Sequence, residues 1–309
     1  LNNKPEIIEN KKLTFEDLAN IFINDYCTGN LKENTIYGYK SLLNVILPEL
    51  GDKEAENIIP YDLQLYYNKL KKEYSLNTVL HHYVLINNIF VRCKKLGIIS
   101  LNPNADIEKP KFKSEEPKIY EPEDLKQFLK VLENEPLKYR VPIILAIDSG
   151  MRREELNGLL WDDINLETGE ININKVRIAA AKEIIVTTPK TAKSKRKIII
   201  TNYSLNLLKE LKKYQDNMAK TLKNKWLNND NYVFVNDNGL PYYPDTLSKI
   251  LKKIQIKYNL EQIPFHSLRH TSVSLLLNSN EDVASISARV GHSNITTTLN
   301  TYSHLIEKS

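Results

Sequence analysis

Four prolines, Pro103, Pro110, Pro117 and Pro122, punctuate a polar stretch rich in Lys and Glu between residues 102 and 122. Proline lacks the backbone N–H and fixes φ, so neither a helix nor a central strand runs through such a segment. The composition is that of an extended linker. A chain broken there folds as two units with separate cores, and 309 residues are enough to build both. The expected boundaries are a leader or truncated remnant at 1–12, a helical unit at 13–101, the linker at 102–121 and a second unit at 122–309.

In the first unit, Thr14 is a natural N-cap with Asp17 at the capping-box position. The apolar residues Phe15, Leu18, Ile21 and Phe22 repeat at helical spacing and predict a helix over 14–27. Similar patterns at 34–47, 61–73 and 76–96, the last stopped by Gly97, complete a four-helix unit with short connections. Lys32, Asn34, Thr35, Tyr37, Tyr39 and Lys40 are assigned to its surface, as are Asn77, Thr78, His81 and His82. These residues suit contact with a phosphate backbone and equally suit a plain solvated face.

Beyond the linker, helices are predicted near 122–134, 137–149 and 152–160. Short strands follow at Glu170–Val176, Glu183–Thr188 and Lys197–Thr201, read as one small antiparallel sheet with a basic turn at 189–196. Helices resume at 204–224, 244–257, 267–280, 282–290 and about 295–302. The fold class is mainly α: an N-terminal helical domain and a mostly helical C-terminal domain with a small antiparallel β-sheet.

The net charge of +5 is unevenly placed, with 13 basic against 14 acidic residues in 1–110 and 30 against 24 in 111–309. The basic excess is densest at Lys190, Lys193, Lys195, Arg196 and Lys197. Such a cluster favours a polyanion through counterion release, although a lysine run by itself more often marks a solvated loop. No apolar run approaches the roughly 18–20 residues that cross a bilayer, and no signal peptide is visible. Cys27 and Cys93 lack metal-type spacing and read as reduced core residues of a cytoplasmic protein.

The chemistry-bearing residues lie in the second unit. Gly150-Met151-Arg152-Arg153-Glu154-Glu155-Leu156 opens a helix, and Glu155 is placed either to orient Arg152 or to satisfy a backbone N–H. His266 and Arg269, i and i+3, share one face near the start of the 267–280 helix, where anions are favoured. His270 is i+4 from His266, which invites a metal, but there is no His-Glu-x-x-His motif, and a third ligand would have to be His292 or an acid. Gly291-His292 and Thr301-Tyr302-Ser303-His304 follow. With 17 tyrosines in the chain, Tyr302 is notable only for its company. Arginine forks match phosphate geometry, histidine moves protons near neutrality, and a phenol can act as a covalent nucleophile once activated. The set points to phosphoryl transfer without a metal.

Residues 150–156, Pro189-Lys190-Thr191, His266-Ser267-Leu268-Arg269-His270-Thr271 and 291–304 together resemble the tyrosine recombinases, the phage-type integrase family, in order, spacing and residue type. The unit at 13–100 is similar to that family's core-binding domain, so the resemblance covers nearly the whole chain. It implies Arg152 and Arg269 as the two catalytic arginines, Lys190 as the lysine of the sheet turn and His266 and His292 as active-site histidines. Glu155 would be the supporting acid and Tyr302 the nucleophile. It further implies strand cleavage through a 3′-phosphotyrosyl link, with no cofactor and no metal. The partners would be double-stranded DNA with specific recombination sites and further copies of the chain, a tetramer on two duplexes and a monomer or dimer off DNA, with no membrane. The segment at 102–122 would let the domains close around DNA. The host element would be a phage or an integrative transposon.

Two features depart from the family's common pattern. Residues 1–12 are too short for the extra arm-binding domain of many mobile-element integrases, and only seven residues follow Tyr302, where relatives extend a tail into a neighbour. The alternatives are an Xer-like resolution recombinase, a type IB topoisomerase-like strand transferase, a DNA-binding regulator that keeps the fold alone and, more remotely, a metal-dependent nuclease.

Overall fold

Thr14 opens the first helix through the reciprocal bonds its spacing to Asp17 allows. Thr14 Oγ1 accepts from the Asp17 N–H (3.2 Å), and Asp17 Oδ2 accepts from the Thr14 N–H (2.9 Å). Helix α1 (Phe15–Ile21) runs into a π-wound turn at Phe22–Cys27, where the Thr28 N–H reaches back five residues to the Ile23 carbonyl (3.0 Å). Helices α2 (Glu33–Leu50), α3 (Pro60–Glu73) and α4 (Leu76–Lys95) follow. Helix α4 packs on the other three and buries Val79, Leu85, Ile86, Ile89 and Phe90. The computed structural model describes residues 12–111, 118–180, 183–188 and 194–291, and the chain divides into two units, 1–115 and 116–309.

Two expectations for the first unit change. His82 is not a surface residue: it is 1% exposed, and its Nδ1 lies 2.7 Å from the Tyr66 hydroxyl. Nor is 102–121 an extended tether along its length. Pro103–Asp106 forms a 3₁₀ turn whose Asn104 is buried and accepts from the Tyr67 hydroxyl (2.7 Å). At the other end, Tyr120 is buried in the second unit against Phe128, with ring centroids 4.7 Å apart. An aromatic or an amide with a partner inside a core outweighs the local reading of a polar, proline-rich run.

The second unit is built around α6 (Leu137–Ser149), whose Val141, Ile143, Ile144, Leu145, Ala146 and Ile147 are all buried. A helical stretch apolar on every side, as 141–147 is, belongs at the centre, and α5 (Pro122–Leu132), α8 (Asn202–Leu222), α9 (Thr246–Lys257) and α10 (Ser267–Asn278) contribute to the same core. Pro142 inside α6 removes the N–H that would have bonded the Lys138 carbonyl, and the Tyr242 hydroxyl supplies a donor there instead (3.2 Å).

The remaining elements are α7 (Arg153–Asn157), α11 (Val283–Val290) and the strands β1 (Glu170–Ile173), β2 (Val176–Ala180), β3 (Glu183–Thr187) and β4 (Arg196–Ile199). Helix α7 is shorter than the predicted 152–160, because residues 159 and 160 are drawn into extended pairing with 232 and 233. The expectation of three strands in one sheet is also corrected. Among the described residues, four strands form two antiparallel pairs, β1 with β4 and β2 with β3. The expected strand 170–176 spans the whole of β1 and the first residue of β2. What separates them is Asp163, which holds Asn174 Nδ2 (3.0 Å) and Lys175 Nζ (3.1 Å) and pins the turn between the strands. Among the described residues no helix is long and apolar enough to cross a membrane.

Candidate active site

The end of α6 sets the geometry. Gly150 closes the helix in the left-handed conformation (φ +63°), donating to the Ala146 carbonyl. A Cβ there would stand 2.8 Å from Val290 Cγ1 and 3.3 Å from Ser272 Oγ, so only glycine lets α6, α10 and α11 meet this closely. The chain buries Met151 and turns outward, making Arg152 the N-cap of α7 with Glu155 three residues on.

Glu155 serves both alternatives posed by the sequence. Its Oε2 accepts from the Arg152 N–H and its Oε1 from Arg152 Nη1, each at 2.9 Å. It also has a partner that the sequence did not single out. Arg196, read above as part of a solvated basic run, is 6% exposed and grips Glu155 with both prongs, Nη1 to Oε1 and Nη2 to Oε2, each at 3.0 Å. The signal was present as period-2 alternation: Arg196, Ile198 and Ile200 fall on one face of β4 and the residue after it, with Ile198 and Ile200 buried. Placing the strand at 197–201 left Arg196 in the turn. Burial pushes the Glu155 carboxyl up, but the hydrogen bonds and charge of Arg196, then of Arg152, outweigh it and hold the group below its ordinary value.

Arg269 comes from the first turn of α10 and is 2% exposed. Its Nη1 donates to the carbonyls of Gly150 (2.7 Å) and Val290 (2.6 Å), while Arg152 Nη2 donates to that of Gly291 (3.2 Å). Both guanidiniums thus fasten on the end of α11, and Arg269 ties it to the end of α6 as well. Gly291, also left-handed (φ +72°), leaves room for Arg196: a Cβ there would lie 3.0 Å from Arg196 Nη1. Helix α11 is tied further by Arg289, whose Nη2 reaches the Asp148 carbonyl (3.1 Å), and the Asp148 carboxylate caps α8 at Thr201 (2.9 and 2.8 Å).

His266 precedes α10 as its N-cap. Its ring keeps an exposed edge, yet its pKa is lowered, first by the crowding that displaces water on its inner side and then by repulsion from Arg269 and Arg152. Both guanidiniums are therefore within electrostatic reach of the ring. His270 lies edge-on to it (centroids 5.0 Å) and is pushed down to about 4, chiefly by burial and then by His266 and Arg269. A helix start carrying an arginine faces its own positive dipole end. The arrangement concentrates positive potential on one spot and suits an anion there. Among the described residues no three His, Cys, Asp or Glu side chains are placed to share a metal ion. The structure therefore brings Arg152, Glu155, His266 and Arg269 together, whereas Lys190, His292 and Tyr302 lie outside the described residues.

The model of the phage integrase family matches residues 118–308, and that of its N-terminal SAM-like domain matches 14–71. The chain is 29% identical to the ICEBs1 integrase of Bacillus subtilis over 71% of its own length and 61% of that protein, so it spans less than two thirds of that relative. It is 29% identical to an XerC-like tyrosine recombinase of Caldanaerobacter subterraneus, covering 84% of this chain and 71% of that one. Against the integrase of a Staphylococcus phage it is 28% identical, covering 100% of this chain and 93% of the phage protein. Among solved structures it resembles the Tn1549 transposon integrase in complex with a circular intermediate DNA, with a TM-score of 0.81, 22% identity and coverage of 94% and 95%. A lambda integrase dimer bound to a COC′ core site gives 0.69, 17% and the same coverage. At these identities the structural likeness is one of fold.

Proposed function

We propose that this chain, which belongs to the phage integrase family, is a site-specific recombinase that cuts and rejoins DNA for a mobile element through a covalent tyrosine intermediate. The observation that carries the reading is the convergence of the Arg152 and Arg269 guanidiniums on the end of α11, at the carbonyls of Gly291 and Val290, with His266 capping the helix that carries Arg269. Two buried or half-buried guanidiniums can clamp the non-bridging oxygens of a phosphodiester and stabilise the charge that builds in a pentacovalent transition state. Whole-length similarity to a phage integrase favours integration of an element. The XerC-like relative favours a second reading, resolution of chromosomes or plasmids.

In the first step Tyr302 Oη attacks the phosphorus, the P–O5′ bond breaks, and a 3′-phosphotyrosyl enzyme and a 5′ hydroxyl result. An ordinary phenol, with a pKa of about 10, is roughly one part in 10³ ionised at pH 7, so a base must take its proton. His266, neutral at that pH because its pKa is lowered, is suited to accept it. Lys190 is assigned to protonate the departing 5′ oxygen and His292 to hydrogen-bond the phosphate. A 5′ hydroxyl from a partner duplex then attacks the phosphotyrosine, restoring the phenol. One phosphodiester replaces another, so the exchange needs neither a nucleotide nor a metal. We assign a tetramer to the synaptic complex on two duplexes, and the cytoplasm as the compartment.

Incubation with a pool of nicked duplexes of randomised sequence tests the reading. Adducts that survive denaturant should be recovered with the unaltered chain, in equal yield with EDTA, and sequencing the trapped DNA identifies the site. Tyr302→Phe should bind the recovered duplex but form no adduct. Failure of the unaltered chain to trap any duplex, or trapping by Tyr302→Phe at the wild-type level, would contradict the assignment.

A further inference from the structure

The Arg196 side chain ties two distant segments, α7 and the end of α11, to the start of β4. Its prongs hold both oxygens of Glu155 on α7 (3.0 Å each), its Nε donates to the Arg289 carbonyl at the end of α11 (2.6 Å), and its Nη1 also reaches the Ser194 carbonyl just before β4 (3.2 Å). One of these contacts bears on a residue of the proposed chemistry within the described structure. Glu155 is the acid that Arg152 leans on, through both its N–H and its guanidinium.

We infer that Arg196 is a positioning residue for DNA strand cleavage, acting through Glu155 on the orientation of Arg152. The inference rests on the strand-cleavage reading above. Arg196 does not touch DNA in this role: its donors are directed at protein oxygens, and Glu155 neutralises its charge. Its work is geometric. Glu155 has two oxygens shared by two guanidiniums, so the fork of Arg196 fixes which lone pairs remain for Arg152. Lysine would keep the charge but, with one compact ammonium, could not span Oε1, Oε2 and a backbone carbonyl together. Misplacement of a clamping group by about 1 Å can reduce a rate on the order of 10²-fold.

The test uses the full chain and the duplex recovered by adduct trapping. Arg196→Lys should cleave at least about tenfold more slowly at saturating DNA, with duplex affinity within about twofold of the unaltered chain and thermal unfolding little moved. Because Arg196→Ala strands a buried carboxylate and can unfold the unit, Lys is the primary variant and a cycle with Glu155→Gln the second measurement. If Arg196 acts through Glu155, the Lys substitution should lose most of its effect on the cleavage rate once Glu155 is Gln. Wild-type cleavage by Arg196→Lys, or losses in cleavage and affinity of equal size, would overturn the inference, as would fully additive effects in the cycle. If the unaltered chain forms no adduct with any duplex, the strand-cleavage reading itself falls and takes this inference with it.

Discussion

The two units differ in the charge of the polar groups they bury, although the second also holds neutral pairs such as Trp161 with Gln215. In the first, the buried polar contacts pair neutral groups: Tyr66 with His82, and Tyr67 with Asn104. In the second, Glu155, Arg196 and Arg269 are charged and nearly sealed from water. A neutral pair roughly breaks even on desolvation, whereas burying ions costs several kcal/mol each unless geometry compensates. The contrast teaches where function lies, because the first unit's arrangement needs only packing to explain it. Burial of charge alone is still no label for a site. Arg177 is also buried, where it donates to the Tyr242 carbonyl and lies over the Tyr232 ring 5.4 Å away, a structural role. What distinguishes the site is that several charges converge on the end of α11.

The largest expected break in this contrast is Arg269→Ala. Removing one preorganised donor to a developing oxyanion typically lowers a rate by about 10²–10³. Single-turnover cleavage should fall by that factor while affinity for the same duplex changes only a few-fold; equal losses would make Arg269 an anchor and no more.

Next comes Glu155→Gln, which leaves Arg152 and Arg196 facing a neutral amide. Breaking a buried pair from one side costs about 3–5 kcal/mol, readable as a shift in denaturant unfolding at pH 7. The sign with pH follows from the lowered pKa of Glu155. A depressed carboxyl contributes stability above its unfolded pKa of about 4.3 and loses it as pH falls through the folded value. The gap between Glu155→Gln and the unaltered chain should therefore be constant from about pH 7 to 5 and close in acid. A gap that widens in acid would contradict the ion-pair account.

The smallest effect belongs to the neutral pair. Tyr66→Phe leaves a buried His82 nitrogen without its partner, about 1–3 kcal/mol, and should leave single-turnover cleavage at saturating DNA unchanged. His82 is pushed down to about 4, mainly by burial. The unfolded chain takes up this proton near 6.5, so stability is full above that pH and declines as pH falls towards 4. A pH-independent first unit across that window would show that His82 meets water after all.

Much of this was legible in the chain, and what was not has physical reasons. The Thr14–Asp17 cap, the helical spacing of α4 and the all-apolar run of α6 are local signals that the packed structure keeps. Arg152, Glu155, His266 and Arg269 were legible as a group only through motif order, since residues 152 and 269 are far apart in sequence and nothing local reports their meeting. His82 and Arg196 were misread for one reason: a polar side chain in a polar neighbourhood looks solvated until its long-range partner is known. Tyr66 lies 16 residues from His82, and Glu155 lies 41 from Arg196. The division of the β segment into two pairs escaped notice similarly, because Asp163, which separates β1 from β2, sits outside both strands.

Mass spectrometry of the trapped adduct tests the central claim most directly. After protease digestion of the complex with the recovered duplex, the account expects a single DNA-linked peptide, joined through Tyr302 to a 3′ phosphate, with a free hydroxyl on the opposing 5′ end. Linkage to another residue, or to a 5′ phosphate, would contradict it.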